Sequence, residues 1–232
     1  MKKHQANKDQ SLSVHHSSSK KRLLIIGISF SLILFVFYMF NSWRQASKTL
    51  EKNALDFAQT IEIVINSEGL EQLQGIAQDE GSEYYSSVKD KLMDLVQLHS
   101  EVRFIYLMKQ RDGRIYFVVD SEPSDSEDYS PPGQEYTEAD EETQNAFLEA
   151  QPRITDPSAD RWGTWISVFV PLKSKRTGEV YALLGIDYPV SQWRKLIIAE
   201  ITEDALYALG VVLLLLSFFL ILSKNSSLDK QE

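Results

Sequence analysis

The chain contains no cysteine, so disulfide bonds and thiolate metal sites are excluded. Histidine is nearly as scarce. His4, His15 and His16 crowd into the first sixteen residues, which leaves His99 as the single imidazole of the long polar middle segment. A Ser-His-Asp arrangement would have to use His99, which follows a predicted helix and has no nucleophile motif nearby. There is no HExxH pair and no glycine-rich phosphate loop. Catalysis finds no support in this inventory: the protein is not expected to be an enzyme, and no cofactor is expected.

Charge is missing from two eighteen-residue runs, 23–40 (LLIIGISFSLILFVFYMF) and 205–222 (ALYALGVVLLLLSFFLIL). Eighteen helical residues cover about 27 Å, close to the hydrocarbon thickness of a bilayer. Lys2, Lys3, Lys8, Lys20, Lys21 and Arg22 precede the first run against one acid, Asp9, which places that end in the cytoplasm. Tyr38, Phe40 and Trp43 then fall at the outer interface. A cleaved signal sequence is the competing reading. The run is longer than the roughly 7–15 residues of a cleavable segment and leaves through Tyr38-Met39-Phe40-Asn41-Ser42-Trp43, without a small-x-small site. The expected organisation is a cytoplasmic basic tail 1–22, a transmembrane helix 23–40, an extracytoplasmic domain 41–204, a second transmembrane helix 205–222 and a short cytoplasmic tail 223–232.

The segment 41–204 carries 16 Lys and Arg against 30 Asp and Glu, a formal net charge of −14. Such a surface avoids nucleic acid and stands off from anionic headgroups. An external domain without disulfides, large enough to rely on its own core, points to the cytoplasmic (inner) membrane of a bacterium.

Residues 42–65 read as a helix continuing out of the membrane. Leu50, Ala54, Phe57, Ile61 and Val64 follow a 4-3-4-3 spacing, suited either to a parallel homodimer seam or to the domain's own core. Leu55, Ala58 and Ile65 widen that stripe. Ser67-Glu68-Gly69 breaks it, 75–81 reads as a loop, and 82–98 as a second helix. Strands follow at 104–108 and 114–120 around a turn at 110–113. An acidic, proline-containing loop covers 121–137, and a short helix 138–150 is capped by Thr137. Strands at 163–172 and 180–187 flank a turn at 175–178, and Trp193, Leu196 and Ile197 mark a helix leading into the second membrane run. This order gives an α+β domain with a mainly antiparallel sheet. Strands apolar on both faces, such as 165–170 and 181–186, imply cover on each side, by the long helix on one and loop material on the other.

Five pieces occur in order: Ile105-Tyr106-Leu107; Asp112-Gly113 with Ile115-Tyr116-Phe117-Val118-Val119-Asp120-Ser121; Tyr129-Ser130-Pro131-Pro132-Gly133; Asp160-Arg161-Trp162-Gly163-Thr164-Trp165-Ile166-Ser167; and Gly185-Ile186-Asp187. Together they resemble the extracytoplasmic PAS-like (Cache-type) sensor domains that sit between two membrane helices in bacterial histidine kinases, diguanylate cyclases and chemoreceptors. The resemblance covers most of 42–200. It implies a long N-terminal helix packed on an antiparallel sheet, and a small-molecule pocket on the other face beneath a variable loop. It also implies ligands such as an amine, an amino acid or a carboxylate. Relatives continue into an output domain after the second membrane helix, whereas this sequence reaches Glu232 ten residues later. A separate cytoplasmic or membrane signalling partner is therefore expected.

Within the resembling segments, Tyr106, Asp120, Tyr129, Trp162, Trp165, Ser167 and Asp187 are the candidate ligand-binding residues, since aromatic walls with a few placed polar groups suit a small molecule. The bland alternative is that the tryptophans pack the core and Asp187 caps the following helix. Asp120, Glu122, Asp125, Glu127 and Asp128 offer oxygens to a hard cation but lack the spacing and glycine of a calcium loop, and no metal is expected. Two further readings stay open: the sensory front of a histidine kinase or diguanylate cyclase, and an envelope structural or assembly protein whose PAS-like domain binds another protein.

Overall fold

A computed structural model describes residues 2–65 and 68–225. The tail expected over 223–232 lies, from residue 226 on, outside them, as does Ser67 of the predicted break. The chain divides into two compact units, Met1–Ser47 with Ile197–Glu232, and Lys48–Leu196. Helix α1 (Lys2–Ile65) and helix α5 (Val190–Asn225) each contribute to both.

In the first unit the two apolar helical stretches carry their large side chains outward. Ile26, Ile33, Phe37 and Leu214 are all exposed, which suits helices long and apolar enough to cross a membrane. The helices approach closely where Gly27 meets the ring of Phe219. Near the polar end, Asp204 accepts hydrogen bonds from the Tyr38 hydroxyl at 3.2 Å and from Ser42.

The second unit is built on one sheet, antiparallel throughout. Its strands are β1 (Phe104–Arg111), β2 (Arg114–Asp120), β3 (Arg153–Ile154), β4 (Ser158–Asp160), β5 (Gly163–Lys173) and β6 (Val180–Pro189), in the order β2-β1-β6-β5-β3, with β4 also on β5. The β1–β2 hairpin turns through Asp112 and Gly113 at φ +51° and +76°, the two left-handed residues that a tight two-residue turn requires. Besides α1 and α5, the unit holds α2 (Glu68–Gln72), a 3-10 turn (Ala77–Gly81), α3 (Glu83–Leu98, capped by Ser82) and α4 (Glu141–Glu149). Helix α3 lies against β1 and β2, and α4 against β5 and β6.

Alternation along the strands builds two buried layers. Phe104, Tyr106, Met108, Ile115, Phe117, Trp165, Phe169 and Leu183 cluster with Ala146 of α4. Ile105, Leu107, Leu184 and Ile186 are fully buried as well. Ala54, Ala58, Ile61 and Ile65 of α1 are buried at helical spacing. Of the expected seam, Ala54 and Ile61 are therefore spent inside the unit. Leu50 and Phe57 are half-buried, the Phe57 ring lying 4.1 Å from that of His99, and Val64 is 59% exposed beside Ile63 at 79%.

Two expectations need correction. Helix α4 begins at Glu141 and its cap is Asp140, whose side chain accepts from the Thr143 amide at 2.8 Å. The Thr137 hydroxyl instead donates to Glu138 at 3.0 Å. Strands β3 and β4 were not foreseen: at two and three residues they are too short to carry a periodic signal.

Candidate functional site

The register of the sheet places the site. Tyr106 on β1 pairs with Gly185 on β6, and Phe104 with Asp187. Across β6, Ser167 of β5 pairs with the same Asp187. On the other side Tyr106 pairs with Asp120, but the register shifts between Leu107 and Met108, so Met108 faces Phe117 rather than Val118. This bulge turns both Phe117 and Asp120 toward the face that carries Tyr106.

The recess is lined by Phe104, Tyr106, Phe117 and Asp187 from the sheet, by Asp120, Asp128 and Ser130 at one side, and by Tyr136, Asp160 and Trp162 at the other. The aromatic walls meet edge to face, with Phe117 centroids 5.6 Å from Tyr106, 5.6 Å from Tyr136 and 5.9 Å from Trp162. The cavity is about 20 Å³, room for about one water molecule. The half-buried Asp128, Tyr136, Asp160 and Trp162 connect it with solvent.

Asp187 is the chemical centre. It lies within β6, paired on both sides and 4% exposed, and Oδ1 is turned to Tyr106 and Ser167, so it does not cap α5. Its Oδ1 accepts from the Tyr106 hydroxyl at 3.0 Å and the Ser167 hydroxyl at 2.6 Å. Among the described residues no cation pairs with it. Burial pushes its carboxyl up to about 7, against the pull of those two donors. Burial, then the neighbouring Asp187, raises Tyr106, and burial with Asp160 raises Tyr136, so both hydroxyls remain donors.

Asp120 is buried too, and fully occupied. Oδ2 accepts from the Ser130 amide at 2.7 Å, and Oδ1 from the Glu122 amide at 3.1 Å and from Lys89 at 3.3 Å. Burial still raises it to about 6. Asp160 acts as a brace. Its Oδ1 accepts from the Trp162 and Gly163 amides and from the Trp165 indole at 2.9, 3.1 and 2.9 Å, and its Oδ2 from Tyr136 at 3.3 Å.

Of the residues expected from sequence, Tyr106, Asp120, Trp162 and Asp187 line the recess. Ser167 supports it through Asp187. Trp165 supports it through Asp160, packing edge-on to Phe104 at 5.2 Å. Tyr129 is elsewhere: its hydroxyl donates to Glu80 at 2.7 Å and meets that of Tyr85 at 2.8 Å. Phe104, Phe117, Ser130, Tyr136 and Asp160 were not foreseen in this role. Phe104 was legible, standing two residues from Tyr106 on one strand, but Phe117 faces inward only because of the bulge. The acidic loop does not gather a cation site. Arg103 donates to Glu122 and, at 2.7 Å, to Asp128, while Asp125 and Glu127 are exposed. Among the described residues no group of three or more His, Asp or Glu is placed to hold a metal ion.

Gly185 gives the Tyr106 ring its seat, because a Cβ there would lie 2.2 Å from the ring edge. Gly185→Ala is therefore expected to push the ring out of line with Asp187 and to destabilise the domain by about 2 kcal/mol or more. Denaturant unfolding followed by tryptophan fluorescence measures this, and unchanged stability would mean that the ring shifts freely.

No family model and no curated protein matches the chain. Among solved structures it is similar to the ligand-binding domain of the Campylobacter jejuni chemoreceptor Tlp3 in complex with L-valine, at 14% identity and TM-score 0.46. That match covers 77% of this chain and 66% of the other. The ligand-binding domain of the Pseudomonas aeruginosa PAO1 amino acid chemoreceptor PctC, in complex with GABA, matches at 11% identity and TM-score 0.46, covering 73% and 68%. A type II free methionine-R-sulfoxide reductase from Thermoplasma acidophilum matches at 14% and TM-score 0.35, covering 58% and 93%.

Proposed function

We propose that residues 41–204 are the extracytoplasmic input domain of a bacterial membrane sensor, which binds a small molecule in this recess. The observation that carries the reading is Asp187, a buried carboxylate with no cation on it among the described residues, facing an aromatic recess three residues before α5 begins. Burying such a group costs stability, a cost that a ligand can offset. Because β6 passes into α5 without a linker, a change around Asp187 has a short covalent path to the second membrane helix. A ligand shifts the helix only through its different affinity for two arrangements. The output module would lie in a signalling partner or in a further part of a kinase or cyclase.

The test is a thermal-shift screen of the full chain in nanodiscs against amines, amino acids and carboxylates. At least one compound should raise the melting temperature, and Trp162→Ala should remove that rise while the apo domain stays folded. Stabilisation indifferent to Trp162→Ala would place the ligand elsewhere.

The small cavity supports a second reading, an envelope assembly protein whose domain binds another protein. On the sensor reading the recess widens as the ligand enters, by movement of the loop carrying Asp128 and Ser130. A screen without a single stabilising compound would favour the assembly role.

A further inference from the structure

We propose that the recess selects a cationic amine lacking a carboxylate, so that an amine is taken in preference to the amino acid of which it is the decarboxylated form. This deepens the small-molecule reading and rests on it.

The carboxylates that line the recess are Asp120, Asp128, Asp160 and Asp187. The cations around them are committed. Lys89 donates to Asp120 and to the carbonyls of Asp120 and Glu122. Arg103 lies 4.1 Å over Phe104 and binds Glu122 and Asp128. Arg161 forks onto both oxygens of Glu138 at 2.6 Å. Among the described residues no cation lines the recess. A ligand carboxylate would therefore meet four acids, and the guanidiniums at the border, of Arg103 and Arg161, are already paired with Asp128, Glu122 and Glu138.

Half-exposed Asp128 accepts from Arg103 on Oδ2, and the deeper carboxylates differ in how fully they are used. Both oxygens of Asp120 and both of Asp160 accept hydrogen bonds. Asp187 takes both of its donors on Oδ1, and its Oδ2 accepts none among the described residues. A nine-tenths-buried carboxylate with a spare oxygen, at a cavity the size of one water, fits an ammonium group with its three donors. Arg103 and Arg161 already lie over the rings of Phe104 and Trp162, at 4.1 and 4.9 Å, and the aromatic lining that favours such cations gives nothing to an anion. The amine head would sit on Asp187, with the rest of the molecule leaving toward Tyr136 and Trp162.

Matched pairs separate the chemistry from the size of the ligand. Isothermal titration of the full chain in nanodiscs would compare methylamine with glycine, isobutylamine with L-valine, and putrescine with L-ornithine. In any pair that binds, the amine should be at least about tenfold tighter, a difference of one favourable charge contact or more. Asp187→Asn should abolish that binding while its circular dichroism stays native, and Trp162→Leu should weaken it. An amino acid binding as tightly as its amine, or amine binding that survives Asp187→Asn, overturns the selection and leaves a small-molecule sensor standing. No binding by any amine also overturns it. The sensor reading itself falls only if the wider screen, carboxylates included, is empty as well.

Discussion

Asp187→Asn is expected to raise the stability of the sheet domain at pH 8 by about 2–4 kcal/mol, and to leave it nearly unchanged near pH 4. Burial lifts the Asp187 carboxyl from 3.8 to about 7, so the folded chain holds this proton more tightly than the unfolded chain does. A raised carboxyl contributes stability that is fully present below about pH 4. That stability is lost as pH rises toward and through 7, where the charge must be buried. Asparagine keeps an oxygen for the Tyr106 and Ser167 hydroxyls and has no charge to bury. Urea unfolding at pH 4.5, 6 and 8, read by the tryptophans, should give a falling profile for the parent and a flatter one for the variant. A variant less stable than the parent at pH 8 would mean that Asp187 already has an unseen counter-charge. If the recess takes an amine as proposed, the same residue links stability to binding: an amine bound below pH 7 should displace the proton, so its apparent affinity should strengthen from pH 6 to 8.

The elements that the sequence made legible are those that announce themselves locally. Asp112-Gly113 marks a hairpin because both residues tolerate positive φ, and the structure turns there. The helical spacing of Tyr85, Val88, Leu92 and Leu95 marks a helix over 82–98, and α3 runs over Glu83–Leu98. The runs around 165–170 and 181–186 became the two central strands because residues apolar on both faces need cover on both. What stayed hidden depends on contacts distant in sequence. Strict alternation from Asp120 puts Val118, not Phe117, on the face of the site; the bulge between the two is set by pairing with β1. Asp160 lies in the very segment that suggested the two tryptophans. Its part as the acceptor joining Trp162, Gly163, Trp165 and Tyr136 arises from a turn with no periodic signature. Tyr129 was placed at the site by its neighbourhood in the chain, yet the loop carries its hydroxyl away to Glu80.

Replacing Lys89 by Met is expected to have the opposite pH signature and the larger effect, a loss of about 3 kcal/mol or more at pH 8. The ammonium and the Asp120 carboxylate are both buried, with side chains only 12% and 6% exposed. Lys89 also donates to the carbonyls of Asp120 and Glu122 and lies 4.4 Å from the ring centroid of Tyr129. It thereby joins α3 to the end of β2 and the start of the acidic loop, whose Asp128 and Ser130 line the recess. Methionine preserves the aliphatic stem and removes only the charge and its donors. Asp120 is then an ionised group buried without its cation, which costs more than the pair itself contributes. Since burial already raises this carboxyl to about 6, protonation becomes the escape, and the defect should shrink markedly by pH 5. The partner change gives the second check. Asp120→Asn removes the stranded charge, so the double variant at pH 8 should be more stable than Lys89→Met alone, although one of the Ser130 and Glu122 amides loses its acceptor. Additive losses would show that the two groups act independently. A non-additive cycle would assign them to one clasp that holds the loop over the recess, and Lys89→Met should then loosen the loop amides in hydrogen exchange while the central strands stay protected.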